Sequence, residues 1–191
     1  TLYFLILNHR FEYRYVWQYS SLDMSHKFAI SCFWAGQEGS FFLWSFFQGL
    51  LGMVLLLSAK EWKAPVMAVM ALSQAFVTSM LLGTEIGSFT IGGDPFVLLR
   101  EVATPGDREF FANPDYLRMI TDGNGLNPLL ENPWMIIHPP VLFLGYAAVL
   151  VPFAYAVAAL WTGRYHSWIK LVKPWLLFAT LTLGMGILLG G

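Results

Sequence analysis

The sequence has little charge and almost no cysteine, and each scarcity excludes a class of protein. Only 12% of its 191 residues are charged, against about 25% in ordinary soluble domains. The single cysteine, Cys32, excludes an internal disulfide framework and any CxxC metal or redox pair. CxxCH, HExxH, P-loop and GxGxxG motifs are also missing from the sequence. With a net charge of -1 and no dense Lys/Arg cluster, nothing in the sequence indicates a nucleic-acid partner.

Hydrophobic residues are abundant where charged residues are scarce. They make up 57% of the chain, aromatic residues make up 17%, and the mean hydropathy is +0.56. We therefore predict an all-α, polytopic helical membrane protein in a single membrane domain, with the lipid bilayer as its surroundings. Uncharged runs predict transmembrane helices at 41–59, 65–83, 141–161 and 175–191, with residues 1–7 as the end of a partial fifth span. Both termini fall inside apolar runs, so we expect a segment of a longer protein.

Basic residues predict the orientation of these spans. The two short connections, 60–64 and 162–174, carry five basic residues and one acid. The long connections, 8–40 and 84–140, carry an excess of acids. Basic short loops face the cytoplasm, so we predict that both long loops lie on the outer, periplasmic face. Residues 84–140 are expected to form a structured loop of short helical turns.

The stretch GNGLNPLLENPWMIIHPP, residues 123–140, is the most informative part of the long outer loop. Asn127-Pro128 and Asn132-Pro133 both predict helix starts, because Asn caps free backbone N–H groups and Pro suits the first helical position. Pro139 and Pro140 predict that His138 is extended and that the next span begins immediately after it.

A histidine held at the membrane boundary suggests a function. A neutral imidazole is a good axial ligand for haem iron and can also act as an acid or base near neutral pH. The alternative is that His138 is hydrogen-bonded in a loop that caps a helix. From the residues alone, both interpretations stay open.

The segment WAGQEGSFFLW, residues 34–44, is a second candidate. Glu38 lies just before an uncharged span, where an ionisable group needs a partner or a function. Trp34 and Trp44 offer flat surfaces for a planar ligand. The alternative is an interfacial turn with a capping acid.

These two segments resemble the CcmF/NrfE family of cytochrome c maturation haem lyases. Residues 123–160, followed by KPW at 173–175 and LTLGMGILLGG at 181–191, are similar to the family's long motif. Residues 34–44 resemble its earlier WGxHEGSxLLW motif. The resemblance covers most of residues 13–191 in the same order and at similar spacing.

The resemblance implies a function, a substrate and partners. Members of the family receive haem from a membrane-anchored haem chaperone, beside other cytochrome c maturation membrane proteins. They position haem for thioether attachment to the CxxCH cysteines of apocytochrome c on the outer face of the bacterial inner membrane, or of the mitochondrial inner membrane in an organelle. His138 matches one of two outer-face axial ligands of haem iron. Pro139, Pro140, Asn127, Pro128, Trp34, Glu38 and Trp44 are expected to border this haem site.

The chain also departs from the family. It ends where the family continues toward the tryptophan-rich WWD motif, so that motif, the second outer histidine and the two histidines of a permanent b-type haem are not recognisable. Gln37 replaces the histidine of the earlier motif and is not expected to be a ligand. The expected activity is therefore that of a haem lyase segment, incomplete in this chain. The alternative is a non-catalytic haem-transport or scaffold subunit of the cytochrome c assembly complex.

Overall fold

The computed structural model describes residues 1–87 and 89–190, and α-helices dominate this part of the chain. The predicted all-α class is therefore confirmed. The helices of the described residues are α1 Leu2–Leu7, α2 Arg14–Tyr19, α3 His26–Ser31, α4 Gln37–Ser58, α5 Lys63–Ser79, α6 Arg108–Ala112, α7 Tyr116–Met119, α8 Pro133–Thr162 and α9 Ile169–Gly190. Short 3-10 turns occupy Cys32–Trp34, Lys60–Trp62, Leu99–Glu101, Pro105–Asp107 and Pro128–Leu130.

Three helices of the described residues are long and apolar enough to cross a membrane. They are α4, residues 136–162 of α8, and α9. α5 overlaps the predicted span 65–83 but ends at Ser79 and has 17 residues. At 1.5 Å per residue it is about 25 Å long, which is shorter than a hydrocarbon core of about 30 Å. The count of four complete spans is therefore not confirmed.

The helices α8 and α9 form the closest pair in the structure and run antiparallel. A Cβ added at Gly145 would lie 2.6 Å from Cα of Leu183, and one added at Gly186 would lie 2.7 Å from Cα of Leu142. These distances leave no room for a side chain at either glycine. Small residues in membrane helices permit this close backbone approach. The resulting van der Waals contacts hold the helices together in lipid, where no hydrophobic driving force acts between them.

A core of small and aliphatic side chains holds α4 and α5 against this pair. α8 contributes an alanine-rich face that includes Ala147, Ala154 and Ala158, all fully buried. Leu55 of α4 and Val66 of α5 pack against the same cluster. The small face of α8 lets three helices approach it at once, so α8 is the central helix of the bundle.

The two basic connections meet at one end of the bundle. The guanidinium of Arg164, from the loop between α8 and α9, lies 4.1 Å from the ring centroid of Trp62. Its Nη2 donates to the carbonyl of Glu61 at 3.4 Å. Glu61 and Trp62 belong to the loop between α4 and α5. The two short loops therefore lie at the same end of the bundle, as the predicted topology requires.

At the opposite end, a second hydrophobic cluster joins α1 and α2 to the 3-10 turn before α4 and to the start of α4. Ile6 of α1, Tyr15 and Val16 of α2, and Cys32 are buried together there. Phe96 of the long loop packs against the same cluster. This cluster ties the polar N-terminal segment to the outer loop.

The long loop contains a hairpin that the sequence did not predict. β1 (Thr84–Ile86) pairs antiparallel with β2 (Phe89–Ile91), with Glu85 opposite Thr90. Gly87, at φ +63°, supplies the left-handed conformation that such a tight turn requires. Beyond the hairpin, the predicted helical turns are present as the short helices α6 and α7 and three 3-10 turns.

The prediction that His138 is extended is wrong, because α8 continues through it and through both following prolines. The helix begins where Asn132-Pro133 predicted, and Asn132 Oδ1 accepts the backbone N–H of Trp134 at 3.0 Å. Pro139 and Pro140 disfavour helical backbone locally. Pro139 is buried and His138 is hydrogen-bonded to α9, so packing against α9 outweighs the local preference.

The contact between α8 and α9 leads to a first prediction. Gly145→Ala places a methyl group against the backbone of Leu183, so the helices must separate. We expect the free energy of unfolding to fall by about 1–3 kcal/mol, measured by SDS titration of the protein in detergent micelles. Gly184→Ala is the matched control, because an added Cβ there meets nothing within 4 Å. Equal stability of the two variants would contradict the close packing.

Candidate functional site

His138 lies near the start of α8, and its ring rests against the last two turns of α9. Its Nδ1 is 2.8 Å from the carbonyl oxygen of Gly186. A Cβ added at Gly190 would lie 2.8 Å from both Nδ1 and Nε2 of the ring. The absence of a side chain at Gly190 therefore creates the space that the imidazole occupies.

The hydrogen bond to Gly186 fixes the chemistry of the imidazole. A carbonyl oxygen only accepts, so Nδ1 of a neutral His138 must carry the proton. The lone pair then lies on Nε2, and a metal ion would bind through this nitrogen. His138 is half-buried, and its ring orientation is set by groups on a neighbouring helix.

Trp44 of α4 packs on the same helix, further into the bundle. Its ring lies nearly parallel to that of Phe41, at 6.3 Å. It also contacts Phe143 and Tyr146 of α8, at centroid distances of 6.4 Å and 5.7 Å. Tyr146 is eight residues beyond His138, or about 12 Å along the helix axis. Trp44 therefore belongs to the wall of the bundle that continues from His138.

The turn that leads into α4 is held by the hydroxyl of Tyr15. This oxygen accepts the backbone N–H of Gly36 at 3.0 Å and donates to the carbonyl of Phe33 at 3.0 Å. Burial raises the pKa of the Tyr15 phenol well above its ordinary value, so the hydroxyl keeps the proton that it donates. One side chain of α2 thus positions the whole WAGQEGS turn.

Glu38 has a partner in the structure. Its Oε1 lies 3.2 Å from Nη2 of Arg14, and the Glu38 side chain is 14% exposed. The carboxylate also lies in the first turn of α4, where the helix dipole favours negative charge. A Cβ added at Gly93 would lie 2.7 Å from Oε1, so the outer loop packs directly on this ion pair. These contacts support a structural role for Glu38.

Trp34 ends the 3-10 turn before this helix, and its ring meets that of Phe33 at 6.4 Å and 73°. On the other side of α2, Asn127 and Pro128 border a cavity of about 500 Å³ beside Gln18 and Tyr19. The Tyr19 ring also packs against Gly36. Both predicted motifs therefore contact α2.

The GNG sequence anchors the loop to the end of α2. The N–H groups of Asn124 and Gly125 donate to the carbonyls of Trp17 and Ser20, at 2.6 Å and 3.1 Å. These are the carbonyls that a helix leaves without partners at its C-terminal end. The loop thereby closes α2 and places Asn127-Pro128 at its tip.

The structure thus places the eight predicted residues in two groups. His138, Pro139, Pro140 and Trp44 belong to the helical bundle, whereas Trp34, Glu38, Asn127 and Pro128 lie at its outer end, Trp34 in the turn before α4 and the other three beside α2. Four residues that hold these groups in place were not predicted: Gly186, Gly190, Arg14 and Tyr15. The small residues Thr182, Gly186 and Gly190, spaced four apart, are a sequence signal for close helix packing that could have identified the glycines.

The family model described as "Cytochrome C assembly protein" matches residues 34–191. The chain is 31% identical over 191 residues to cytochrome c-type biogenesis protein CcmF of Haemophilus influenzae, covering 100% of this chain and 26% of that protein. It is 35% identical over 173 residues to CcmF of Pseudomonas aeruginosa, covering 90% and 23%.

A protein of Escherichia coli named probable cytochrome c-type biogenesis protein NrfE is 30% identical over 181 residues, covering 94% of this chain and 29% of that protein. The chain therefore spans about a quarter of the length of the curated relatives that it matches. No solved structure matches it.

The hydroxyl of Tyr15 leads to a second prediction. Tyr15→Phe removes the acceptor of the Gly36 N–H and leaves that donor buried without a partner. We expect the free energy of unfolding to fall by about 1–3 kcal/mol, measured by denaturant titration in micelles. Tyr165→Phe is the matched control, because Tyr165 is 58% exposed.

A pH series gives the same test a second readout. Because the pKa of Tyr15 is raised above its ordinary 10.0, the folded state retains a proton that the unfolded state loses above pH 10. The free energy of unfolding of the wild-type protein should therefore fall as the pH rises above 10. That of the Tyr15→Phe variant should fall less steeply. If the free energy of unfolding fell equally steeply with pH in both proteins, the burial of the Tyr15 hydroxyl would be contradicted.

Proposed function

Because the chain belongs to the cytochrome C assembly protein family, we propose that it acts in cytochrome c maturation as the part of a haem lyase that holds haem on the outer membrane face. The observation that carries this proposal is the imidazole of His138. It is fixed by the Gly186 carbonyl and by the space that Gly190 leaves open, and its Nε2 lone pair would bind the iron.

The residues of this end of the bundle fit haem as a substrate. Haem supplies its own ring nitrogens to the iron, so one imidazole is enough to hold it on one face. Among the described residues, no group of three or more His, Cys, Asp or Glu side chains could bind a bare metal ion. Aromatic side chains continue from His138 along the bundle through Phe143, Tyr146 and Trp44, and they offer flat apolar surfaces to a porphyrin.

The proposed role of the chain in the reaction is to position haem. Thioether attachment adds the S–H of each apocytochrome thiol across a haem vinyl group, so no group leaves and no base is consumed. Holding the reactants in one geometry supplies much of the acceleration of such a step. A histidine whose ring is locked by α9 restricts how haem is oriented, and this restriction is the contribution we propose for His138.

The location and partners follow from the same proposal. The bundle end with Lys60, Lys63 and Arg164 would face the cytoplasm, because basic short loops favour that side. His138 and the α2 cluster would then face the periplasm of a bacterial inner membrane. We propose a haem chaperone as the donor of haem, apocytochrome c as its acceptor, and other cytochrome c maturation membrane proteins as partners.

An alternative role is haem binding or scaffolding without catalysis. It is favoured by the structural use of the polar groups near the outer end, since Glu38 is paired with Arg14 and the Tyr15 hydroxyl is bound to backbone. Attachment of haem to a CxxCH peptide by the purified protein would support the lyase role. Haem binding without attachment would support the alternative.

Haem binding tests the site itself. We expect His138→Ala to lose the haem that the complete protein gains on co-expression with a haem chaperone, measured as the difference between its absorption spectra with and without the chaperone. Gly190→Ala should lose haem as well, because its methyl group occupies the space of the His138 ring. Gly184→Ala should retain haem, since it lies on the same helix with open space around it.

Circular dichroism of the three variants separates loss of haem from loss of fold. Unchanged helix content with haem lost in both His138→Ala and Gly190→Ala is the expected result. Full haem binding in His138→Ala would contradict the proposal and would leave His138 as a residue that only joins α8 to α9.

A further inference from the structure

The β1–β2 hairpin of the long loop has one apolar face and one polar face. Its register sorts the side chains, because directly opposed residues share a face and so do residues two apart on one strand. The apolar face carries the pairs Ile86–Phe89 and Thr84–Ile91, and the polar face carries the pair Glu85–Thr90. Three large apolar side chains are therefore gathered on one side of a six-residue sheet.

This apolar face is exposed. All residues of both strands are exposed, and Ile86, Phe89 and Ile91 keep 60%, 76% and 43% of their surface accessible. A Cβ added at Gly87, in the turn of the hairpin, would meet nothing within 4 Å. Contact of large apolar side chains with water is unfavourable, so the face requires an apolar environment that the described residues do not supply.

The base of the hairpin is fixed at one end of the membrane helices. Gly93 follows β2, and its N–H donates to the carbonyl of Met80, just after α5, at 3.0 Å. A Cβ added at Gly93 would lie 2.7 Å from Oε1 of Glu38, which belongs to the first turn of α4. Because α4 is long enough to cross a membrane, the level at which it begins is a boundary of the bilayer.

The exposed apolar surface of α5 continues toward the hairpin. Leu72 and Phe76 of α5 are 74% and 63% exposed, and Leu82, in the turn before β1, is 66% exposed. α5 itself is about 25 Å long, shorter than the hydrocarbon core of about 30 Å. Apolar side chains that follow the helix therefore fall where the edge of the bilayer is expected.

The backbone of the hairpin restricts how deep it can lie. The outer edge of each strand has N–H and C=O groups without partners in the ladder. Hydrocarbon cannot satisfy such groups, whereas water and lipid headgroups can. A two-stranded hairpin with one apolar face is thus suited to the region where headgroups meet acyl chains.

We propose that the apolar face of the β1–β2 hairpin inserts into the lipid bilayer at this headgroup–acyl boundary, beside the start of α4, with Glu85 directed to water. A protein partner fits less well, since a stable interface covers about 800 Å² on each partner, more than three side chains offer. The hairpin is not part of the proposed haem site, so the inference is independent of haem binding.

The accessibility of a spin label tests the proposal. The label is placed at Phe89→Cys, and the matched control is the next residue, Thr90→Cys, on the polar face. All cysteines of the complete protein, Cys32 included, are first replaced by serine. The purified protein is reconstituted into nanodiscs of phosphatidylethanolamine and phosphatidylglycerol. Power-saturation EPR then measures collisions of each label with O₂, which concentrates in lipid, and with a water-soluble nickel chelate.

We expect the ratio of O₂ to nickel accessibility to be several-fold higher at position 89 than at position 90. In the protein labelled at 89, adding Ile86→Ser and Ile91→Ser should raise nickel accessibility toward the value at 90, because the face loses its apolar side chains. Leu117→Ser should leave it unchanged, since Leu117 is similarly exposed, at 50%, but belongs to α7.

Three results would overturn the proposal. Equally high nickel accessibility at positions 89 and 90 would mean that the hairpin lies in water. Low accessibility to both reagents at 89 would mean that protein covers the apolar face, and dipolar coupling between two labelled molecules would identify that protein as a second copy. Unchanged nickel accessibility after Ile86→Ser and Ile91→Ser would mean that the apolar face does not cause insertion.

Discussion

The close packing of α9 on α8 is the contact on which the rest of the structure depends. Gly145 and Gly186 let the two backbones meet, and Gly190 continues the same antiparallel register to His138. The contact between α8 and α9 therefore ends at the proposed haem ligand. Because glycine at 190 and the carbonyl at 186 act together, the stability of the helix pair and the orientation of the imidazole come from the same residues.

The outer end of the molecule is organised differently, around the single short helix α2. Tyr15 holds the turn before α4, Arg14 holds Glu38, and the end of the helix binds the backbone of Asn124 and Gly125. A six-residue helix has little stability of its own in water, so these tertiary contacts must maintain it. The two sequence motifs, residues 34–44 and 123–140, thus meet through a short helix that belongs to neither of them.

The sequence predicted the features that depend on local pattern. Uncharged runs predicted α4, α8 and α9, and Asn132-Pro133 predicted the start of α8, because both signals act within a few residues. Continuation of α8 through Pro139 and Pro140 was not predictable, since the local preference of proline yields there to packing against a helix about fifty residues away. The role of Tyr15 was not predictable either, because its partner Gly36 is distant in sequence.

Gly186 fixes His138 with its proton on Nδ1 and its lone pair on Nε2. Solid-state ¹⁵N NMR of the histidine-labelled protein in lipid, before haem is added, tests it directly, with the His138 signal assigned by its loss in His138→Ala. We expect the neutral imidazole to carry its proton on Nδ1. A ring protonated at Nε2 alone would contradict the account, because that nitrogen could not then bind iron without losing its proton.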